Sequence, residues 1–459
     1  MYFLPVFHCA ITDTRYSSSG FTVSFLIIPF YCRLRLKTPY TYLEHRFSRS
    51  VRTAAAALFI LRVSFYLAVV LQAPAILLQQ STGLHNWITV VVCGVIATAF
   101  TMKGGMKTVI VTDFMQSIAL LGGGLGALVF AIAGSQGSKS PGLVEEDIRV
   151  QLSTFMEIDS WSDDNLYFFF VGSLFSYVAA AGTDQIAIQR LMSTKDVVAA
   201  QRASVLTGCL NGLTTSLLAF VGLYIHAFYR ERGYDPTHSD PNSNKIMFTF
   251  LLDESFPGLT GIIFGAILGC TLSVTSGGLN AAATSFFVDI LANAYGLVDE
   301  NTEIVCLTKK ITAGFGVLVV VLAVLSTMIH VDIVDFSNTV SGLFGGPICA
   351  LFLCGMFTKA ANTKGMIVGF AFACIAILYI VTGLVLCKRS KQVQPQLNKI
   401  CTEGILYYSE VNAWMISFWL GLVTAVLGLA ASHCWATPWC RKTVMQRKFK
   451  SDFTLLTHE

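Results

Sequence analysis

Apolar stretches of about twenty residues recur along almost the whole of this 459-residue chain. A helix of about 20 residues crosses the hydrocarbon core of a bilayer, because each residue adds about 1.5 Å to its length. Charged residues make up only 13% of the chain, about half of their share in soluble domains. The sequence therefore predicts an all-α, polytopic membrane protein.

The apolar stretches define one membrane domain, residues 21–435, between an atypical N-terminal segment, 1–20, and a C-terminal tail, 436–459. The first stretch is short for a full span. The eleven predicted segments are 21–32, 53–78, 87–102, 109–134, 165–188, 204–228, 258–293, 311–330, 333–357, 366–386 and 411–433.

The positive charges predict an orientation. Lys and Arg are about twice as frequent in alternate loops, starting with the basic loop 33–52, as in the loops between them. We therefore expect a plasma-membrane protein with its N-terminus outside and its C-terminus in the cytoplasm. Cys387 and Cys401 flank a polar loop and are candidates for a disulfide if that loop is extracellular. No CxxC pair or Cys/His cluster occurs, and we expect no cofactor.

The segment 258–293 has an unusual middle. Small and hydroxylated residues crowd it, including Gly269, Thr271, Ser273 and Thr275, where a lipid-facing helix would carry large apolar side chains. Small residues let another helix approach closely, whereas hydroxyl and carbonyl oxygens suit a hard cation. The composition therefore permits a tight packing seam or an ion site.

Five motifs occur in a fixed order along the chain. They are PYTYLEHRF at 39–47, MKGGMKTVIVTD at 102–113, GTDQ followed by QR at 182–190, the polar stretch at 272–280, and GGP at 345–347 with KG at 364–365. Together they resemble the sodium/solute symporter family, most closely its monocarboxylate and multivitamin branch.

The resemblance implies a leucine-transporter-type inverted repeat of five helices, with broken helices around central sites. This chain starts at what resembles the second core helix of that fold. We therefore expect a bundle that lacks its first core helix and a sequence truncated at its N-terminus.

The resemblance also implies a sodium site on the segment 258–293. Its ligands would be the carbonyl of Cys270 and two side chains at Ser273 and Val274, but valine has no hydroxyl. Thr275 cannot simply substitute, because a helix turns by about 100° per residue. The predicted sodium site is therefore one ligand short.

The substrate would lie between the segments 258–293 and 165–188. The candidate cavity residues are Gln72, Phe175, Ser176, Tyr177, Asp184 and Gln185. For Asp184 we favour an ion pair with Arg190 over substrate binding or proton coupling. For Arg62 we favour a side chain that extends to the cytoplasmic surface over contact with an anionic substrate.

Other motif residues are interpreted as structural or gating residues. Gly104 and Gly105 should break the chain between two spans. Glu44 and Arg46 should pair with loop partners, Asp113 should cap a helix or pair with a basic neighbour, and Arg190 should pair with an acid.

These features predict a sodium-coupled symporter that imports small organic anions, either monocarboxylates or vitamins such as biotin and pantothenate. The alternative is a non-transporting, truncated isoform that associates with a full-length carrier. The chain carries no HExxH, GxSxG or Walker motif, so we do not expect an enzyme. The predicted partners are sodium, the anion and the lipid bilayer, and no nucleic acid.

Overall fold

All the regular secondary structure within the described residues is helical. This computed structural model describes residues 23–34, 36, 38–134, 166–231, 246–253, 257–295, 302–327, 333–393 and 413–434. The segments 1–20 and 436–459 and Cys401 lie outside these ranges, so the expected domain ends and the disulfide stay predictions.

The helices are numbered here in chain order. Helix α1 combines a π-helical turn, Val23–Ile27, with Ile28–Leu34. Helix α10 (Pro257–Ser285) continues through a π-helical turn, Phe286–Leu291, and the short helix Ala292–Tyr295. The others are α2 (Pro39–Arg46), α3 (Arg49–Val70), α4 (Gln72–Thr82), α5 (Asn86–Gly134), α6 (Leu166–Gly182), α7 (Gln185–Met192), α8 (Val197–Glu231), α9 (Ile246–Asp253), α11 (Thr302–Thr327), α12 (Ile333–Phe357), α13 (Thr363–Val393) and α14 (Ala413–Cys434).

Nine helical stretches within the described residues are long and apolar enough to cross a bilayer. They correspond to nine of the eleven predicted segments, and the remaining two, 21–32 and 165–188, are helical but shorter. The prediction that 33–52 is a loop is wrong, because α2 and the start of α3 lie there. Pro39 begins α2, and Ser48 caps α3 by accepting a hydrogen bond from the amide of Val51.

The predicted break at Gly104 and Gly105 does not occur, because α5 continues through both as one helix. Glycine weakens a helix interior by only about 1 kcal/mol, and good helix formers flank this pair. The two halves of α5 nevertheless contact different helices. The first half packs on α11, and the second packs on α10. Asn86–Lys103 and Ile110–Phe130 are each long and apolar enough to cross a bilayer.

Helices α12, α13 and α14 pack through a cluster of large apolar side chains and also through close backbone contacts. A Cβ on Gly346 of α12 would lie 2.3 Å from the carbonyl oxygen of Ser417 on α14. A Cβ on Gly369 of α13 would lie 2.4 Å from the carbonyl oxygen of Thr424. Since lipid gives helices little hydrophobic reason to associate, close backbone contact is a main source of stability here.

A group of charged side chains joins the start of α3 to the π-helical turn after α10. Arg52 binds Asp289 at 2.7 Å and Glu44 at 2.7 Å, and Arg49 also binds Glu44, at 3.1 Å. Thr38 donates to Asp289 at 2.6 Å. We call these five residues the Arg52 cluster. The sequence analysis missed Asp289, although an acid in an apolar helix is itself a signal.

The Arg52 cluster favours the charged form of the Glu44 carboxyl. Burial raises its pKa, but hydrogen bonds from Arg52 and Arg49 outweigh burial, so the pKa lies below its usual value. A lowered pKa stabilises the folded state at pH values above the usual pKa of glutamate. This contribution is lost as the pH falls through the lowered pKa.

Arg46 connects α2 to the end of α12 through hydrogen bonds. Its guanidinium donates to the carbonyl oxygens of Gly355, Thr358 and Ala361 at 3.0–3.1 Å. These carbonyls lie at or just after the C-terminus of α12, where a helix leaves its last carbonyls without intrahelical partners. Arg46 therefore stabilises the turn between α12 and α13.

Replacing Gly346 by Ala is expected to destabilise the protein by about 1–3 kcal/mol, because the added carbon overpacks the contact with α14. The matched control is Gly314→Ala on α11, where a Cβ would meet no atom within 4 Å. This control should be neutral or slightly stabilising, since alanine favours helix. Thermal unfolding of the purified chain in detergent measures both, and equal shifts would contradict the packing argument.

Replacing Arg52 by Gln is expected to cost about 3–5 kcal/mol, because it leaves Asp289 buried without its cation. Arg49→Gln is the control. The Arg49 side chain is 76% exposed and binds the same Glu44, and exposed pairs contribute about 0–1 kcal/mol. The same unfolding assay applies. A loss with Arg49→Gln as large as with Arg52→Gln would show that burial does not set the importance of the pair.

Candidate functional site

Ser273, the predicted sodium ligand, lies in a polar cluster built from three helices. Its hydroxyl on α10 donates to a carboxylate oxygen of Asp113 on α5. The other oxygen of Asp113 is 2.9 Å from a guanidinium nitrogen of Arg190 on α7. Asp113 therefore pairs with a basic residue, and it also touches the residue that was expected to hold sodium.

A glycine makes room for Arg190 on the surface of α10. A Cβ on Gly277 would lie 2.7 Å from the Nη2 atom of Arg190. Gly277 is one helical turn beyond Ser273, so the guanidinium lies along the same face of α10. The polar middle of α10 thus serves as both a packing seam and a polar site.

The other predicted sodium ligands contribute less. Cys270 is half-buried, and Val274 packs against the main apolar core. The Thr275 hydroxyl is buried and has no hydrogen-bond partner among the described residues. Among the three predicted ligands, Ser273 is therefore the one whose side chain places a hydroxyl beside a carboxylate.

The predicted span 165–188 is broken at Thr183 and Asp184, between α6 and α7. Asp184 begins α7 by accepting a hydrogen bond from the amide of Ile186 at 3.0 Å. Its second oxygen binds the guanidinium of Arg62 on α3, and both side chains are about nine-tenths buried.

Two predictions are therefore wrong. Asp184 pairs with Arg62 rather than Arg190, and Arg62 does not extend to a surface but is 7% exposed within the bundle. The physical reason lies in the helix. Residues 184 and 190 are six positions apart, and at about 100° per residue they face directions about 120° apart.

A small pocket lies beside this ion pair, between α2, α3, α6 and α12. It is lined by Tyr40, Phe59, Arg62, Ala179, Thr183, Asp184, Gly345 and Ile348. The free space holds about one water molecule. None of these lining residues belongs to α10, although we expected the cavity to lie between α6 and α10.

The remaining cavity candidates lie elsewhere in the described part of the chain. Gln72 donates to the carbonyl of Ala323 at 2.7 Å and to Ser326 at 2.8 Å, and thereby joins α4 to α11. Phe175 packs edge-to-face on Phe418 of α14, with ring centroids 5.9 Å apart. The other three candidates are the half-buried Ser176 and Tyr177 and the fully buried Gln185, whose amide has no hydrogen-bond partner within the described residues.

Comparison with curated proteins gives relatives that are named as transporters. The chain is 28% identical over 376 residues to the sodium-dependent multivitamin transporter of Oryctolagus cuniculus, covering 81% of this chain and 58% of the relative. It is 28% identical over 372 residues to the human sodium/iodide cotransporter, covering 80% and 57%. A putative sodium-dependent multivitamin transporter of Drosophila melanogaster is 30% identical over 375 residues, covering 78% and 60%. All three relatives are named as transporters or cotransporters, and none is named as an enzyme.

Comparison with solved structures confirms the fold. The chain matches a structure described as the substrate-bound outward-open state of a Na⁺-coupled sialic acid symporter, with a TM-score of 0.73 and 20% identity. The match covers 94% of this chain and 84% of that one. The helices therefore form a bundle of the leucine-transporter type, as predicted.

A family model adds the strongest sequence evidence. The model of the sodium:solute symporter family matches residues 19–373, about three-quarters of the chain. The chain spans between 57% and 60% of the length of the curated relatives described above. The five motifs, the helical bundle and the family model agree, and the chain belongs to the sodium:solute symporter family.

Proposed function

We propose that this chain is a sodium-coupled symporter that imports small organic anions, either monocarboxylates or vitamins such as biotin and pantothenate. Family membership and the names of the relatives support this proposal. The single observation from the structure that carries it is the contact between Ser273 and Asp113. This contact puts a hydroxyl and a carboxylate together at the polar middle of α10.

The chemistry of this contact suits sodium. Ser273 uses its proton to bind Asp113, so the lone pairs of its oxygen remain available for a cation. Carboxylate, hydroxyl and backbone carbonyl oxygens are the ligands that hard cations prefer. Sodium would therefore be held by Asp113, Ser273 and the carbonyl of Cys270. In this set Asp113 supplies the oxygen that Val274 cannot.

Alternating access would follow from where these ligands lie. Sodium between α5 and α10 stabilises an outward-open arrangement of the bundle, and binding of the anion then favours closure. The inward sodium gradient and the membrane potential drive uptake. We place the protein in the plasma membrane, with its N-terminus outside and its C-terminus in the cytoplasm, because the distribution of Lys and Arg favours this orientation.

The test is uptake of radiolabelled lactate, biotin and pantothenate by cells expressing the chain, in sodium and in choline medium, with surface expression quantified. We expect uptake that depends on sodium. In Ser273→Ala the half-saturating sodium concentration should rise about tenfold, which corresponds to a loss of roughly 1.4 kcal/mol.

The matched control is Ser276→Ala, one turn along α10. The Ser276 hydroxyl is buried, and its one hydrogen bond among the described residues goes to the carbonyl of Ser273 within the helix. This variant should keep the sodium dependence of the parent chain. Absence of uptake from protein that reaches the surface would contradict the proposal and favour the non-transporting alternative. An unchanged sodium affinity in Ser273→Ala would contradict the assigned site.

A further inference from the structure

The Arg62–Asp184 pair is a buried ion pair that the proposed sodium site leaves unexplained. Arg62 lies within a candidate membrane span, and Asp184 lies at the break between α6 and α7. Removing two charges from water costs several kcal/mol each, and their attraction repays this only with good geometry and additional hydrogen bonds. Ionisable groups at such depth commonly mark a transport site.

The pair uses only part of the binding capacity of Arg62. One guanidinium nitrogen binds one oxygen of Asp184, whose other oxygen is engaged by the amide of Ile186. A guanidinium has five donors in a fork that matches a free carboxylate with two parallel hydrogen bonds. Because Asp184 is held at the start of α7, it offers Arg62 a one-point contact that a mobile carboxylate can improve on.

The pocket beside the pair has a second unused donor. Tyr40 lines this pocket and is fully buried, and its hydroxyl has no hydrogen-bond partner among the described residues. Leaving a buried polar group without a partner is unfavourable, so a ligand that accepts its hydrogen bond is favoured. Phe59, Ala179 and Ile348 give the pocket apolar walls. One cation, one hydroxyl and short apolar walls match a small carboxylic acid anion.

We propose that this pocket is a subsite for the carboxylate of a small organic anion, in which Arg62 exchanges Asp184 for the carboxylate of the substrate. The inference rests on the proposed sodium-coupled uptake and adds the residue that recognises the anion. Tyr40 donates a hydrogen bond to the same carboxylate. Since the pocket has room for only about one water molecule, Asp184 acts as the resident ligand that must leave before the substrate enters.

The exchange connects this subsite to the sodium site through one short helix. Asp184 caps the start of α7, and Arg190, in its last turn, binds Asp113. The eight residues of α7 span about 12 Å. Sodium competes with Arg190 for Asp113, and the substrate competes with Asp184 for Arg62, so both ligands release the same helix. One anion entering with one sodium ion also leaves the net charge of the region unchanged.

The test uses the purified 459-residue chain in nanodiscs, with radiolabelled lactate as the probe, in sodium chloride and in choline chloride. The variants are Asp184→Asn, Arg62→Gln and the double variant Arg62→Gln/Asp184→Asn. Asp184→Asn removes the resident competitor while asparagine still caps α7, so lactate should bind about tenfold more tightly. Arg62→Gln should lose binding. Lactamide, the neutral analogue of lactate, should not compete in any protein.

The double variant separates recognition from folding. Replacing both members of a buried pair by neutral groups is often close to neutral for stability, so this protein should unfold near the temperature of the parent chain. It should nevertheless fail to bind lactate. Lactate binding at the parental affinity in the double variant would overturn the subsite and show that the pair is structural.

The same proteins distinguish this inference from the proposed function. Uptake that is sodium-dependent and has an unchanged KM in the double variant would overturn the subsite alone. Absence of sodium-dependent uptake of lactate, biotin and pantothenate by the parent chain would overturn the proposed function and the subsite with it.

Discussion

Charge neutralisation inside an apolar bundle is the constraint on which the rest of this structure depends. Arg62 meets Asp184 across 122 positions of sequence, and Arg52 meets Asp289 across 237. A charge left alone at such depth costs several kcal/mol, whereas one apolar side chain can replace another at little cost. The ion pairs therefore specify which helices meet, and the apolar contacts fill the space around them.

Small residues make these pairings possible. Gly277 leaves space for the guanidinium of Arg190 on α10, and Gly346 lets the backbones of α12 and α14 touch. In lipid, where apolar side chains gain little by meeting one another, such close approach provides both packing energy and access for polar groups. The polar middle of α10 is both a packing seam and a polar site, because its glycines allow close packing and also leave space for a polar side chain.

The sequence predicted the membrane spans well, because an apolar run of twenty residues has few other structures available to it. It predicted side-chain partners poorly. Asp184 and Arg190 were expected to pair because they are close in sequence. Their side chains, however, point in directions about 120° apart around the helix axis. Each of them therefore binds a residue of another helix. The break expected at Gly104 does not occur, because glycine disfavours helix only weakly and the helix-forming residues on both sides outweigh it.

The position of α7 explains how these local facts become a mechanism. Both ends of this helix are held by ion pairs. In the mechanism that we propose, a transported ion replaces one charge in each pair: sodium replaces Arg190, and an anion replaces Asp184. A ligand shifts a conformational equilibrium only by its difference in affinity between two states. Here the difference in affinity arises because each ligand replaces a residue of α7 in an ion pair: sodium replaces Arg190, and the anion replaces Asp184. Replacing one contact leaves the other end fastened, so full release of α7 requires both ions. Coupling between anion and cation then follows from the placement of four side chains and needs no direct contact between the two ligands.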